Sequence, residues 1–402
     1  MALNKNINMF LFLFFIVSSH MDFRLSSHIF LIWLLYNIYC IVKNKRMCEI
    51  KDNYNNNKIY ILSIAAMFIF PLIAIILHGF PYSEFELWLS QFRGEILGVI
   101  IPVLLLLNKI DMKKIILVSA AMVNISAVFG YYSYFVMDSP RLHSFITSNP
   151  NVYSTYLLIM LCFCAYGTYY LKQYRMYFGV TFVNIIVSLF LANSRGCILL
   201  FFAALIIFCV IQLKNKICYL LISLAIIASL FAGIIYFNQP FQNRIVNTLS
   251  QARFDNARYV IYSTAVNIIE EHPITGIGMG NFKKVYRDYN EHKDIMDSSY
   301  YHVHQIILEM MVESGIFGLI AFVCFIFGQF KVYIKGYWEN KYNTIKKYAA
   351  LMCLFITGLV FTYMQVENTY FALRKIYWIY IGIGYYILIV DYKNIICDEQ
   401  NE

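Results

Sequence analysis

The segment IILEMMVESGIFGLIAFVCFIF, Ile306 to Phe327, decides the class of fold. It is long and apolar enough to cross a bilayer, for which about 20 such residues suffice. Directly before it stands YYHVHQ, Tyr300 to Gln305. Before that runs the only long polar segment of the chain, from about Phe237 to His304. That segment carries Arg244, Arg253 and Arg258, then His272-Pro273 and the glycine turn GIGMGNF, Gly276 to Phe282. A cationic loop closing onto a membrane helix that opens with histidine implies a site for an anionic, lipid-linked substrate.

Outward from this segment the composition agrees. Hydrophobic residues make up 60% of the 402 positions and charged residues only 14%, a balance no ordinary soluble domain shows. The expected fold class is an all-α, polytopic transmembrane helix bundle of about twelve spans with one large outward-facing loop carrying short helices. The spans fall near 8–20, 28–42, 59–78, 96–108, 115–136, 152–171, 178–193, 197–213, 217–237, 304–329, 348–366 and 374–392. The chain thus divides into a bundle over 1–237, a loop over 238–303 and C-terminal membrane helices over 304–402. The apolar run NMFLFLFFIV lacks a small-residue cleavage site and a second span follows at once, so it reads as the first membrane helix. The net charge of +9 encodes topology in such a chain rather than affinity for nucleic acid. Of the ten cysteines, Cys162, Cys164, Cys197, Cys209 and Cys324 lie in apolar runs and the polar loop holds none. They read as buried thiols, with no redox or zinc pattern.

Orientation follows from the short connections. Lys43, Lys45, Arg46, Lys51 and Lys58, then Lys109, Lys113 and Lys114, Lys172 and Arg175, Lys214 and Lys216, and finally Lys331 to Lys347 all fall on alternate connections. The opposite short loops hold only Arg24, Arg93, Arg141, Arg195, Arg374 and Lys375. The first side is expected to be cytoplasmic, which places 238–303 outside. The cations of that loop run against the topology rule. Long loops translocate regardless of charge, so the rule survives, but the cations call for a reason.

Within the loop, RYVIYSTAVNIIEE, Arg258 to Glu271, places Ile261, Ala265, Ile268 and Ile269 at helical spacing before His272-Pro273 stops the run. It predicts a helix lying along the outer surface, read either as a solvated cap over the bundle or as a platform for Arg258. GIGMGNF follows a helix and a proline rather than a strand, so it is not a dinucleotide fingerprint. Its glycines suit a tight re-entry of the loop toward the membrane. NSRG, Asn193 to Gly196, sits at the junction of two spans. Asn193 and Ser194 suit the cap of the following helix, whose free amides together with Arg195 would hold an anion; the plain alternative is a snorkelling arginine. RLHSFITSNPNVYSTY, Arg141 to Tyr156, forms a second rim of the same outer cavity. His302 and His304 lack a third ligand and the spacing of a zinc site, so one of them reads as a general base. Gln305, Glu309 and Glu313 form a polar stripe that must face protein rather than lipid.

In their order, spacing and side of the membrane, NSRG, the arginine-led helix running into HPITGIGMGNF, and HQIILEMMVESGIFG together resemble the O-antigen ligase and polymerase family. These are bacterial membrane glycosyltransferases of the GT-C type that move glycans from undecaprenyl diphosphate. The likeness covers roughly Arg141 to Gly318. It implies that Arg195 is the family's membrane arginine, Arg258 its loop arginine and His304 its histidine, with His304-Gln305 where His-Asn is usual. It further implies direct displacement with inversion, with no metal and no cofactor, the arginines balancing diphosphate charge. His304, Arg258 and Arg195 are the expected catalytic residues, and Arg195, Arg258, Arg141 and Arg253 the expected substrate-binding ones. The expected partners are an undecaprenyl-diphosphate-linked glycan donor, a glycan or lipid A core acceptor and the bilayer. The setting is the bacterial inner membrane, with the site facing the periplasm or cell exterior, in O-antigen or capsule synthesis. The alternative is a transporter or flippase of a lipid-linked sugar, which would place its charges near the bilayer midplane between internal repeats.

Overall fold

The computed structural model describes residues 2–21, 23–43, 58–108, 110–213, 216–237, 242, 256–293 and 302–390. Among them the protein is helical, with a single isolated β-bridge between Ser144 and Thr147. Nine of the described helical segments are long and apolar enough to cross a membrane, and two shorter apolar helices, Asn6–Met21 and Ile217–Ser229, accompany them. The all-α polytopic bundle expected from hydropathy is what the chain forms.

In chain order the helices are α1 (Ala2–Met21), α2 (Phe23–Lys43), α3 (Lys58–Leu77), α4 (Tyr82–Glu95), α5 (Leu97–Asn108), α6 (Met112–Phe135), α7 (Pro150–Tyr170) and α8 (Arg175–Ala192). They continue with α9 (Arg195–Leu213), α10 (Ile217–Phe237), α11 (Asn256–Glu271), α12 (Phe282–Tyr289), α13 (Ile306–Glu339), α14 (Thr344–Tyr363) and α15 (Tyr370–Ile389). At the centre stands α15, whose Tyr377, Trp378, Ile379, Tyr380 and Ile381 are fully buried. A helix apolar and aromatic all round belongs inside the bundle. Its polar aromatic tips then need partners, and Glu95 supplies them for Tyr370 and Trp378. Phe10, Leu62, Val128, Val180, Leu199 and Phe327 are exposed, which suits a surface whose solvent is lipid.

The two ends of the bundle differ in chemistry. At one end Lys113 lies over the Tyr174 ring at 5.3 Å, Tyr169 packs on Tyr348 at 4.2 Å, and Tyr348 donates to Gln212 at 3.3 Å. This is the lysine-rich end. The helices α8 and α14 start there, and at the opposite end they finish beside NSRG and the connection 364–369.

The helix α13 is broken where the sequence suggests one continuous span. Gly315 adopts φ 57°, ψ −142°, a conformation that only glycine takes without strain. The break leaves helix carbonyls free, and the loop 272–281 inserts to use them. Ile277 and Gly278 donate their N–H groups to Val312 O and Glu313 O at 2.8 and 3.1 Å, and Ile316 N–H donates to Pro273 O at 2.9 Å. Irregular backbone inside a membrane helix is tolerated where protein supplies hydrogen-bond partners, as the loop does here. The anticipated re-entry of GIGMGNF toward the membrane therefore has a definite target, the gap in α13.

Candidate active site

The surface helix α11 forms with the predicted end at Glu271. Its Val260, Ile261, Ala265 and Ile268 pack against Phe282 and Tyr286 of α12, and against Val303 and Val312, in a small core of their own. The helix is therefore seated on α13 rather than floating over the bundle. Arg258 lies in its first turn, where a cation opposes the helix dipole. What compensates lies elsewhere in the chain: Arg258 Nη2 donates to Glu367 Oε2 at 3.4 Å. The other oxygen of the same carboxylate, Oε1, lies 3.1 Å from Nδ1 of His304. Two residues expected to act together, Arg258 and His304, thus meet on one carboxylate that sequence reasoning did not single out.

His304 is held firmly. It takes a left-handed backbone conformation, φ 64°, which costs a non-glycine residue on the order of 1 kcal/mol or more. The neighbouring contacts over-determine it. Ile306 N–H donates to Met364 O at 3.1 Å, Gln305 Nε2 donates to Gln365 Oε1 at 2.8 Å, and Gln305 Oε1 caps α13 by accepting from Leu308 N–H at 2.5 Å. Capping is a role the more usual asparagine would also fill. The His302 ring packs on that of His304 at 4.1 Å between centroids. Burial, then the charge of His304, lowers the pKa of His302, with Glu367 opposing. For Glu367, burial alone would raise the carboxyl, but the hydrogen bond and charge of His304, with the charge of Arg258, outweigh it and hold the group below its ordinary value. With Nδ1 directed at Glu367, the carboxylate fixes the orientation of the imidazole ring.

NSRG is joined to this cluster through Tyr363. Ser194 Oγ lies 3.0 Å from the Tyr363 hydroxyl, and Gly196 presses on the same ring so closely that a Cβ there would come within 2.7 Å of it. Four residues on, Glu367 N–H donates to Tyr363 O at 3.0 Å. Arg195, the first residue of α9, is exposed at this junction. Asn193 plays a different part from the one expected. It takes φ 52°, ψ 44° and closes the preceding helix α8, the left-handed terminus that asparagine tolerates. Arg141 braces the turn from behind. Its Nε donates to Ala192 O at 2.9 Å and its Nη2 to Asn151 Oδ1 and Asn193 O at 2.8 and 3.3 Å. Arg253 lies outside the described residues.

A second polar cluster lies beneath the glycine loop. Glu84 accepts from Asn281 Nδ2 at 3.1 Å and lies 3.1 Å from His78 Nδ1. Glu313 accepts from Gly280 N–H at 3.0 Å, and Glu309 accepts from Asn368. The stripe Gln305, Glu309, Glu313 faces protein throughout, as its place in a membrane helix requires. Its members cap, brace and hold loops.

The profile of the O-antigen ligase family matches residues 180–323, a segment that contains NSRG, α11, the glycine loop, His304 and the broken start of α13. No curated protein matches the chain. The junction at Arg195, the seating of α11 and the placing of His304 all fall within the matched segment, and the chain is a multi-pass membrane protein that over 180–323 is similar to the O-antigen ligase family.

Proposed function

We propose that the cluster of Arg258, His304 and Glu367, with Arg195 across Tyr363, transfers an oligosaccharide from a polyprenyl diphosphate, undecaprenyl diphosphate in bacteria, to a sugar hydroxyl. The observation that carries this reading is the shared carboxylate. Glu367 joins a base from the loop end to an arginine from the surface helix, at the bundle end opposite the lysines. His304 Nε2 would take the proton of the acceptor hydroxyl, with Glu367 holding the ring and balancing the charge that forms. Arg195 and Arg258 would balance the charge of the departing diphosphate, a good leaving group once neutralised, so that one displacement with inversion needs neither a carboxylic acid nor a metal. Arg141 would keep the Arg195 turn in place through its backbone contacts. By the lysine asymmetry the site faces away from the cytoplasm, so the setting is the outer face of the inner membrane. Between the two acceptor classes we favour the growing end of a surface polysaccharide over a lipid A core sugar. Clustering of the charges at one end, rather than at mid-depth, favours transfer over transport.

Complementation of a deletion strain with His304→Ala and Arg258→Ala tests the reading. With normal amounts of each variant in the membrane, long surface glycan should vanish. Single repeat units on the final acceptor would indicate a polymerase, and accumulated lipid-linked polymer a ligase. Normal glycan from both variants would overturn the assignment.

A further inference from the structure

A cavity of about 710 Å³ lies within the membrane-spanning part of the bundle, away from the candidate active site. It is the space between α8 and α9, backed by α7 and α14. The two helices join at Asn193-Ser194 and touch only sparingly elsewhere, so they form a V whose apex is the NSRG junction. Just below the apex, Phe190 meets Phe201 and Phe202 at 6.4 and 6.3 Å, and these rings roof the cavity. The walls are apolar, with Ala165, Phe182, Ile186, Leu205 and Phe355 among the lining. The V is widest at the lysine-rich end. Arg175, the first residue of α8, is the charged residue among the described lining and stands there with Tyr169 and Tyr348.

An apolar cleft of this size forfeits dispersion contacts if empty, and water gains nothing from walls that offer few polar partners. Acyl chains fill it at no such cost. Basic pockets between membrane helices on the lysine-rich side hold anionic headgroups, and the positions of Arg175 and the phenylalanine roof give the cleft that polarity. We propose that the cleft binds an anionic phospholipid of the leaflet at the lysine-rich end, with its acyl chains between α8 and α9 and its phosphate against Arg175. The headgroup end is set by Arg175. A chain entering from the NSRG end meets the phenylalanine roof instead. This inference rests on the membrane bundle and not on the transferase reading. Its consequence reaches the site, because a lipid wedged in the V fixes the splay of the two helices that meet at Arg195.

The test is thermal unfolding of the full chain in mixed micelles containing either phosphatidylglycerol or phosphatidylcholine, with native mass spectrometry of the lipid that stays bound. Phosphatidylglycerol should raise the midpoint by about 2 °C or more, since a ligand of the folded state stabilises it, and phosphatidylcholine should not. Arg175→Gln should abolish the difference. Ala165→Trp, which fills the cleft, should abolish both the shift and the retained lipid. Equal shifts from the two lipids, a shift that survives Arg175→Gln, or a polyprenyl diphosphate retained in the cleft in place of phospholipid would each overturn the proposal. Should Ala165→Trp fail to insert, the Arg175→Gln comparison decides alone.

Discussion

Two polar regions sit side by side beneath α11, and they use their chemistry differently. Around the glycine loop every special residue is spent on fit. A Cβ on Gly276 would come within 2.4 Å of Val312 O, one on Gly278 within 2.1 Å of the Glu84 carboxylate, and one on Gly315 within 2.2 Å of Ile274 O. Its carboxylates hold loops in place. Around His304 the side chains remain partly open, with His304 23% and Arg258 37% exposed while Glu367 between them is 15% exposed. Side chains paired but still reachable leave room for an incoming group; side chains consumed by backbone contacts hold the fold. The lesson is that a motif's conspicuousness does not tell which of the two it serves.

The difference can be broken deliberately. Gly315→Val should have the largest effect, because it combines a forbidden backbone conformation with overlap on Ile274. A cost of about 3 kcal/mol or more should remove the protein from the membrane, as an immunoblot of membrane fractions would reveal. Accumulation at the normal level would mean that the loop and the α13 break are not coupled. In the other region the damage should fall chiefly on activity. Arg258→Lys keeps the charge but loses the planar fork, and glycan transfer should drop by about 10-fold or more with membrane levels unchanged. A transfer rate equal to wild type would show that Arg258 acts as a general positive charge only.

The acid sensitivity of the two regions offers a finer test. Glu367 has a folded-state pKa held below its ordinary value of 4.5. A group with a depressed pKa contributes stability above its unfolded value and loses that contribution as pH falls through the folded one. The contribution of this cluster should therefore be constant from neutral pH down to the ordinary carboxylate range and fade only below it. Glu367→Gln should delete that acid limb from the unfolding midpoint and slow transfer, while a limb that persists unchanged would place its origin in other carboxylates. The smallest effect is expected from Gln305→Asn. Both residues cap a helix, so transfer and thermal midpoint should stay within error of wild type; a marked loss would show that Gln305 does more than cap α13 and hold Gln365.

Much of this architecture was legible because hydropathy encodes spans directly, and α11 because its apolar residues recur at helical spacing before a proline. Arg258 and His304 were singled out through their motif company, and the structure brings them onto one carboxylate. Glu367 was not, because it stands in the short connection Val366-Glu367-Asn368-Thr369 with no motif around it, and its partners are 63 and 109 residues away in the chain. The available signal was its place, an ionisable group at the junction of two spans. The break in α13 was hidden for another reason. Hydropathy averages over it, and Gly315 and Gly318 near the start of the span, together with a glycine-rich loop close before it, are the sequence signal that one backbone completes the other. About twelve spans were expected, and nine described helical segments, one of them running through α4 and α5, have the length and apolarity of a span. Among the rest, α15 is rich in tyrosine because it is buried in protein rather than in lipid.

The central claim is that the cluster on Glu367 carries out glycosyl transfer, and it is tested most directly with purified protein in liposomes, a polyprenyl-diphosphate-linked oligosaccharide as donor and a glycan acceptor. The account predicts transfer by the wild type that persists in a metal chelator, and a loss of about 100-fold or more in His304→Ala in protein that remains folded at the assay temperature. Transfer by His304→Ala at the wild-type rate, with the protein equally folded, would contradict it.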